Sequence, residues 1–486
     1  MCVSVIRRAL VVALAFLPAE PCRVLADDSA GQDGSSKSSE PSLPDDLQQL
    51  TDWNGARSKL EQSGIRFIFT YYGDAFANLS GGVTKGAGYD GRFGAIMEAD
   101  LEKLVGWTGA DFHASFHQIH GTQFSATKLD NLMTVSGIEA SPSTRLFNLW
   151  LGQDFGSQVN LRIGQFTAAQ EFSVSENANL FVNSTFGWPE LSGANLPSGG
   201  PNYPEATPGA RLQYSPDRQF TLKAAVFDGN PAGPGTGNPI ARDPFGVAFR
   251  VNDPPFFIVE LSYAYDHAHR HSAVENPHEE DSALPGATQP QAAQDLPNDI
   301  KIGAWINTGS FTDQRFNTQG GALAISGTPL AHRDDYAIYG IIDHEFWSDP
   351  SNRDRSLDFF LRASGAPSDR NLIDLYLDTG LSFQGPLKAR TDDTIGLGFA
   401  IGRISPRAAA YARDVVAATG LPMPIPDYEA VVELTYQWAL AKHWFIQPDL
   451  QYIIHPGGNI ANPMTPNSPS PIPNAFVIGL QTNLKF

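Results

Sequence analysis

Three stretches of the 486-residue chain carry side chains whose types and spacing could do chemistry. GAGYDG at 86–91 fits G-x-G-x-x-G, the spacing with which a strand, a tight turn and a helix cradle a dinucleotide phosphate. Here the string runs into a segment of period two, a strand, so the helix that would receive the phosphate is missing. DHAHRHS (266–272) and HEED (278–281) set His267, His269, His271 and His278 among acids, donors of the kind that hold a divalent metal. No apolar frame fixes those donors, and a solvated loop is the plainer reading; no metal or cofactor is assigned. The 52 Asp and Glu could conceal a glycosidase pair. A polar-lined lumen needs such carboxylates as well, so no catalytic residue is assigned and the chain is not read as an enzyme. The formal charge of -19 argues against a nucleic-acid partner.

The elements that must position any site follow from composition and periodicity. A content of 42% hydrophobic and 11% aromatic residues excludes disorder. The lack of repeated apolar runs of about 20 residues excludes a helical membrane bundle. Arg7 and Arg8 before the apolar run Ala9 to Leu17, then Val24-Leu25-Ala26, read as a secretory signal peptide over 1–26. Both cysteines, Cys2 and Cys22, fall inside it, which removes disulfides and thiolate sites from the mature chain. Residues 27–45 are Ser-, Gly-, Pro- and acid-rich and read as a flexible linker. Leu50, Trp53 and Leu60 share one side of a helical segment over 46–64.

From Ile65 to Phe486 the period is two. In the first segment Phe67, Phe69, Tyr71, Ala75 and Ala77 oppose Arg66, Thr70, Tyr72, Asp74 and Asn78; in the second, Phe93, Ala95, Met97 and Ala99 oppose Arg92, Gly94, Glu98 and Asp100. Seventeen segments of this kind can be read. Tight turns (SPDR, NDPP, ALAKH) alternate with long loops (167–208, 403–427), as in an outer-membrane barrel, whose strand number is even. The expected fold is therefore all-β, a transmembrane antiparallel barrel of about 16 strands over 65–486, with one surplus segment between Phe245 and Arg333. Tyr and Trp near segment ends (Tyr71, Trp107, Tyr265, Trp347, Tyr428, Trp438, Trp444) suit interfacial girdles. The last strand, AFVIGLQTNLKF, ends on Phe486 in the apolar-out register and is the expected signal for the barrel assembly machinery.

Parity then supplies a lumen. Arg66, Asp74, Arg92, Glu98 and Asp100 face inward, with His113, His117 and Arg162 following and Trp305 sharing parity with Lys301 and Asn307. Mixed charges of this kind can both donate to and accept from the hydroxyls of a polar solute without attracting one ion type strongly. Phe67, Phe93, Val259 and Ile478 take the lipid face.

Several strings carry a resemblance: LTDWNGARSKLEQSGI, SPSTRLFNLW, NSTFGWPELSGANLPSGGPNYPEATPGARLQYSP, AVFDGNP, GAPSDRN, DYEAVVELTYQWALAKHWFIQPDLQYIIHPGGN and the terminal Phe. Together they resemble the carbohydrate-selective porin family of Gram-negative outer membranes, the OprB type, over roughly residues 50–486. The resemblance implies a 16-stranded barrel passing mono- and small oligosaccharides passively, with a loop folded into the lumen. It places Trp188, in the FGWPE turn, at the constriction; packing of that loop against the wall is the other role open to this ring. The partners expected are sugars in transit and outer-membrane lipid, and a homotrimer is admitted as the assembly. A general or cation-preferring porin and a secreted β-rich sugar-binding protein are the competing functions. The insert 267–299, longer than the family pattern, and the Ser- and acid-rich linker depart from it.

Overall fold

The computed structural model describes residues 43–265, 298–465 and 469–486. The expected signal peptide, nearly all of the linker and the His/acid run therefore lie outside the described residues. Two short helices, Leu43–Leu50 and Ala56–Ser63, stand in place of the single helical segment expected over 46–64. The second helix and the turn before it meet the outer face of the first strand. Arg57 donates to the Phe67 carbonyl (2.6 Å) with its guanidinium over the Phe69 ring, and Trp53 sets its edge on Phe67 at 5.6 Å.

Sixteen strands follow: β1 (Ile65–Ser80), β2 (Gly86–Asp100), β3 (Ala110–Gly121), β4 (Ser143–Phe155), β5 (Val159–Phe166), β6 (Thr207–Tyr214), β7 (Phe220–Phe227), β8 (Phe256–Tyr265), β9 (Asn298–Asn317), β10 (Pro329–Asp349), β11 (Asn352–Gly365), β12 (Ile373–Gln384), β13 (Thr394–Ile404), β14 (Tyr428–Ala441), β15 (Trp444–Ile454) and β16 (Ala475–Lys485). Each pairs antiparallel with its sequence neighbours, and β1 pairs with β16 to close the barrel. Closure leaves no open edge, which in a membrane would expose unpaired backbone groups. The seam is finished by Phe486. Its N–H and C=O both bond to Phe69 at 2.9 Å, and the two rings lie 5.8 Å apart. The terminal residue thus contributes backbone pairing as well as an apolar ring.

The surplus segment is Val247–Val251. It lies in the loop 228–255, with Val247 and Val251 exposed and Phe249 at a φ of 43°, which ends extended pairing. The NDPP sequence is consequently part of that loop rather than a hairpin turn. Parity was disturbed in this interval because an apolar run on a rim loop mimics a short strand.

The side-chain alternation holds around the wall. Val259, Ile302, Ile338, Leu397 and Ile478 point outward and are exposed on the isolated chain, while Asp74, Glu98, Glu260, Asp343 and Glu433 point inward. An apolar outer band on a closed barrel fits hydrocarbon, and it removes the soluble sugar-binding reading. The polar residues that face inward are nevertheless buried. Loops 122–142 and 167–206, which leave the long-loop rim, turn back into the barrel and cover them.

Candidate functional site: the constriction

Loop 167–206 enters the lumen because its sequence is too apolar to stay on a rim. Phe172, Leu180, Phe181, Val182, Phe186, Trp188, Leu191 and Leu196 are all at or below 5% exposure. The wall makes room for them. A Cβ on Gly398 of β13 would come within 2.8 Å of both Phe181 and Phe186, and one on Gly396 within 2.5 Å of Leu180. Loop rings can lie against the backbone there only because those two inward positions carry no side chain.

The loop's backbone polar groups, cut off from water, are satisfied by wall side chains. Glu260 on β8 accepts from the Ser173 N–H (2.8 Å), Asp343 on β10 from Ser175 Oγ (2.6 Å) and the Asn177 N–H (3.2 Å), and Glu433 on β14 from the N–H groups of Val182 (2.6 Å) and Asn183 (3.0 Å). Donors serve the carbonyls in the same way. Lys301 on β9 reaches Val174 (2.7 Å) and Gln447 on β15 reaches Leu180 (2.7 Å). Arg362 on β11, fully buried, donates to the carbonyls of Ser173 (2.6 Å), Thr185 (2.9 Å), Phe186 (2.9 Å) and Gly187 (3.1 Å) while paired with Asp378 on β12. An unmet buried group would cost about 1–3 kcal/mol, so the wall's polar residues are the condition for the loop to be inside.

Loop 122–142 is held similarly, with Glu429 on β14 accepting from Leu132 and Met133 (2.9 and 2.7 Å) and Ser136 Oγ bonded to Asp74 on β1. The two loops meet where Tyr203 Oη donates to the Ile138 carbonyl at 2.9 Å. Between them remains a cavity of about 250 Å³, lined by Arg92, Glu139, Phe147, Trp188, Glu190 and Tyr203 among others. That is near the small end of ligand-sized clefts, roughly 300–1,000 Å³.

Of the pore residues expected from parity and resemblance, Arg92 and Trp188 line this cavity. Arg92 spreads its guanidinium over Tyr72 (4.6 Å) and Tyr203 (5.3 Å). The others face inward but are occupied elsewhere. Arg66 and Glu98 pair with each other (2.9 and 2.6 Å) toward the short-turn rim, with His113 at 3.9 Å and stacked on Trp150. Asp74 is sealed beneath Ser136. His117 stacks on Phe147 (4.4 Å), and Arg162 lies over Trp150 (3.8 Å) while pairing with Glu171. Trp305 lies beneath the loop, its Nε1 donating to Ser192 Oγ at 3.2 Å, so its ring is a loop contact rather than a face for a solute. Asp100 is not a lumen residue at all. It caps the turn helix Leu101–Val105, accepting from the Lys103 N–H at 3.0 Å, because β2 ends at that residue.

Parity could not find Glu139, Phe147, Glu190 and Tyr203 as cavity residues, since three of them sit on loops. The apolar content of 122–142 (Phe124, Leu129, Met133, Val135, Ile138, all at or below 1% exposure) was the signal that a second loop folds inward. The loop carboxyls sit in unequal surroundings. Burial pushes Glu139 up to about 7, against its bonds from the Ser125 N–H (2.8 and 3.0 Å) and Oγ (2.7 Å). Burial likewise lifts Glu205 to about 7 although Arg145 stands 3.8 Å away. Burial and the neighbouring Glu429 raise Glu190 well above the usual carboxylate range. For Glu171, burial is outweighed by Arg162, Arg211 and Lys223, which hold it down at about 2.

The chain is similar to known proteins in sequence and fold. A family model described as carbohydrate-selective porin, OprB family, matches residues 84–486. Porin B of Pseudomonas aeruginosa is 24% identical over 85% of this chain and 88% of its own length. The putative porin QuiX of Acinetobacter baylyi is 22% identical over 90% of this chain and 92% of its own. The high-pH structure of Pseudomonas putida OprB superposes with a TM-score of 0.75 at 22% identity, covering 90% of this chain and 97% of that one, and shows the same fold.

Proposed function

Because the chain belongs to the carbohydrate-selective porin family, we propose that the cavity between its two in-folded loops is the element that selects the solute. The protein is an outer-membrane porin of the Gram-negative envelope, a channel through which sugars diffuse passively. Selection comes from Arg92 and Tyr203 on one side and Trp188 and Glu190 on the other, which offer a hydroxyl both donors and acceptors and its ring an aromatic face. The observation that carries this reading is the lining itself, polar and aromatic groups of loop and wall brought together around about 250 Å³. As a channel it makes and breaks no bonds, and a catalytic role forms no part of this reading. Planar-bilayer conductance under sugar titration tests it: a neutral hexose should block the ion current in a saturable way. Current indifferent to sugar would leave a general porin.

Export through the signal peptide 1–26, recognition of the terminal strand by the assembly machinery and a homotrimer belong to the same reading. Since Phe486 also closes the seam through its backbone, deleting it should lower surface levels more than Phe486→Ala, which keeps the two bonds to Phe69. Equal, wild-type levels of both would remove its role in assembly.

A further inference from the structure

We infer that the constriction is built for sugars bearing an ammonium group, with Glu190 as the residue that receives it, in preference to neutral hexoses and against sugar acids. The inference rests on the sugar-pore reading above and adds the class of solute. Its starting point is what the loop–wall bonding leaves unused. Glu171, Glu139, Glu260, Asp343, Glu429 and Glu433 all accept bonds that hold a loop. No hydrogen bond among the described residues reaches the carboxyl of Glu190, which lines the cavity only partly buried.

Its surroundings favour a cation. Glu139 faces the same cavity from the other loop and Glu429 acts on Glu190 as a like charge, whereas the guanidinium of the lining, Arg92, lies against the rings of Tyr72 and Tyr203. Two residues before Glu190, Trp188 lines the cavity at 5% exposure, and its Nε1 has no hydrogen-bond partner among the described residues. Between the two lies Gly193. A Cβ placed there would come 3.7 Å from Glu190 Oε2 and 3.8 Å from Trp188 Cδ1, so the glycine leaves open the gap that joins the carboxyl to the ring. An amino sugar supplies what this constellation lacks. Its ammonium donates charge-assisted bonds to Glu190 and its apolar face rests on the indole, whose π-system also attracts a cation. A carboxylate on the sugar would instead face the carboxyls of Glu190 and Glu139 across the cavity. The same burial and like charge that raise Glu190 are relieved by an ammonium, so the bound cation displaces a proton from the carboxyl, and binding tightens as pH rises until the sugar's own amine loses its proton.

The test uses the full-length protein, purified in its heat-modifiable barrel form, in planar bilayers. Half-blocking concentrations are measured for three probes of matched size: a 2-amino-2-deoxyhexose, the neutral hexose and the hexuronate. The amino sugar should block at a concentration roughly fivefold to tenfold lower than the hexose, the margin between charge-assisted and neutral bonds, and the hexuronate should block least. The advantage should shrink between 0.1 M and 1 M salt as screening shortens from about 10 Å to about 3 Å. In Glu190→Gln the ratio of amino sugar to hexose should fall toward one. Gly193→Ala, which meets only ordinary van der Waals contacts and folds, should weaken amino-sugar block several-fold by filling the gap. An amino sugar no better than the hexose, a hexuronate that equals it, or a ratio unmoved in both variants overturns the inference while leaving the sugar pore standing. Absence of block by the neutral hexose as well would bring down the pore reading itself.

Discussion

Val259 and Glu260 are neighbours on β8, yet they live under different rules. Val259 points outward among apolar side chains, and any residue of similar hydropathy would serve. Glu260 points inward, is 2% exposed, and accepts from the Ser173 N–H and the Tyr339 hydroxyl, both at 2.8 Å. The outer face of the wall is specified by solvent alone, whereas the inner face is specified by partners on particular loop atoms. One polar residue inside the barrel is therefore not equivalent to another. Most are consumed in holding loops, and few remain for a solute.

The comparison breaks most visibly at Arg362. Replacing it with Met would leave Asp378 buried without its partner and four loop carbonyls without their donor, a loss on the order of 3–5 kcal/mol. Loop 167–206 should then leave the lumen, raising single-channel conductance and abolishing sugar block. A barrel that still blocks with wild-type affinity would show that the apolar side chains hold the loop without the wall.

The next effect belongs to the lipid face. Val259→Arg should cost about 2–4 kcal/mol if β8 is near the bilayer midplane there, seen as a lower yield of heat-modifiable barrel. The neighbouring change Glu260→Gln should impair folding less but is not silent, because the carboxylate serves two donors at once and a neutral amide accepts more weakly, a loss of about 1–2 kcal/mol. Folding yield should thus drop for the valine change, and sugar block should loosen for the glutamate change. The opposite assignment would invert the register of β8.

How much of this was legible follows from the same contrast. Alternation found the barrel, its polarity and the inward set, because hydrophobic-out and polar-in repeat along a strand at a fixed period. It added one segment too many at Val247–Val251, since a short apolar run on a rim loop carries the same period. It also placed Asp100 and Trp305 in the pore on facing alone. Whether an inward residue meets water or a folded-in loop depends on the far wall, which no local period records. The inward glycines Gly396 and Gly398 on β13 were the readable trace that something packs against the wall there.

Acidity gives a smaller effect that separates loop carboxyls from the rest. Glu139 and Glu205 have pKa values raised to about 7 in the folded loops, above their ordinary range near 4.3. The protonated form is thus favoured when the loops are docked. That contribution is full below about pH 4.3 and is lost as pH rises through about 7. Conductance should accordingly be lower at pH 5 than at pH 8, with the difference reduced in the double change Glu139→Gln, Glu205→Gln, which mimics the protonated pair. Glu171, held down at about 2 by three cations, stays ionised across that range and adds no pH dependence to it. An unaltered pH profile in the double variant would move the response to other groups.

The smallest effects sharpen the comparison within the lumen itself. Trp188→Ala removes an aromatic face from the cavity and should weaken neutral-sugar block by about 0.5–1.5 kcal/mol, roughly twofold to twelvefold, with little dependence on salt. Arg66→Gln together with Glu98→Gln removes two inward charges of opposite sign on the first two strands. Their side chains satisfy one another at 2.9 and 2.6 Å, outside the cavity lining, and the pair sums to zero charge before and after. If inward facing were what qualifies a residue for the solute, the double change would weaken block as much as the loss of Trp188. If the loops decide, it leaves sugar affinity where it was and alters only the local stability of β1 against β2. A titration of both variants under one salt condition distinguishes the two, and a loss of block in the Arg66 and Glu98 variant would return the selective element to the strand wall.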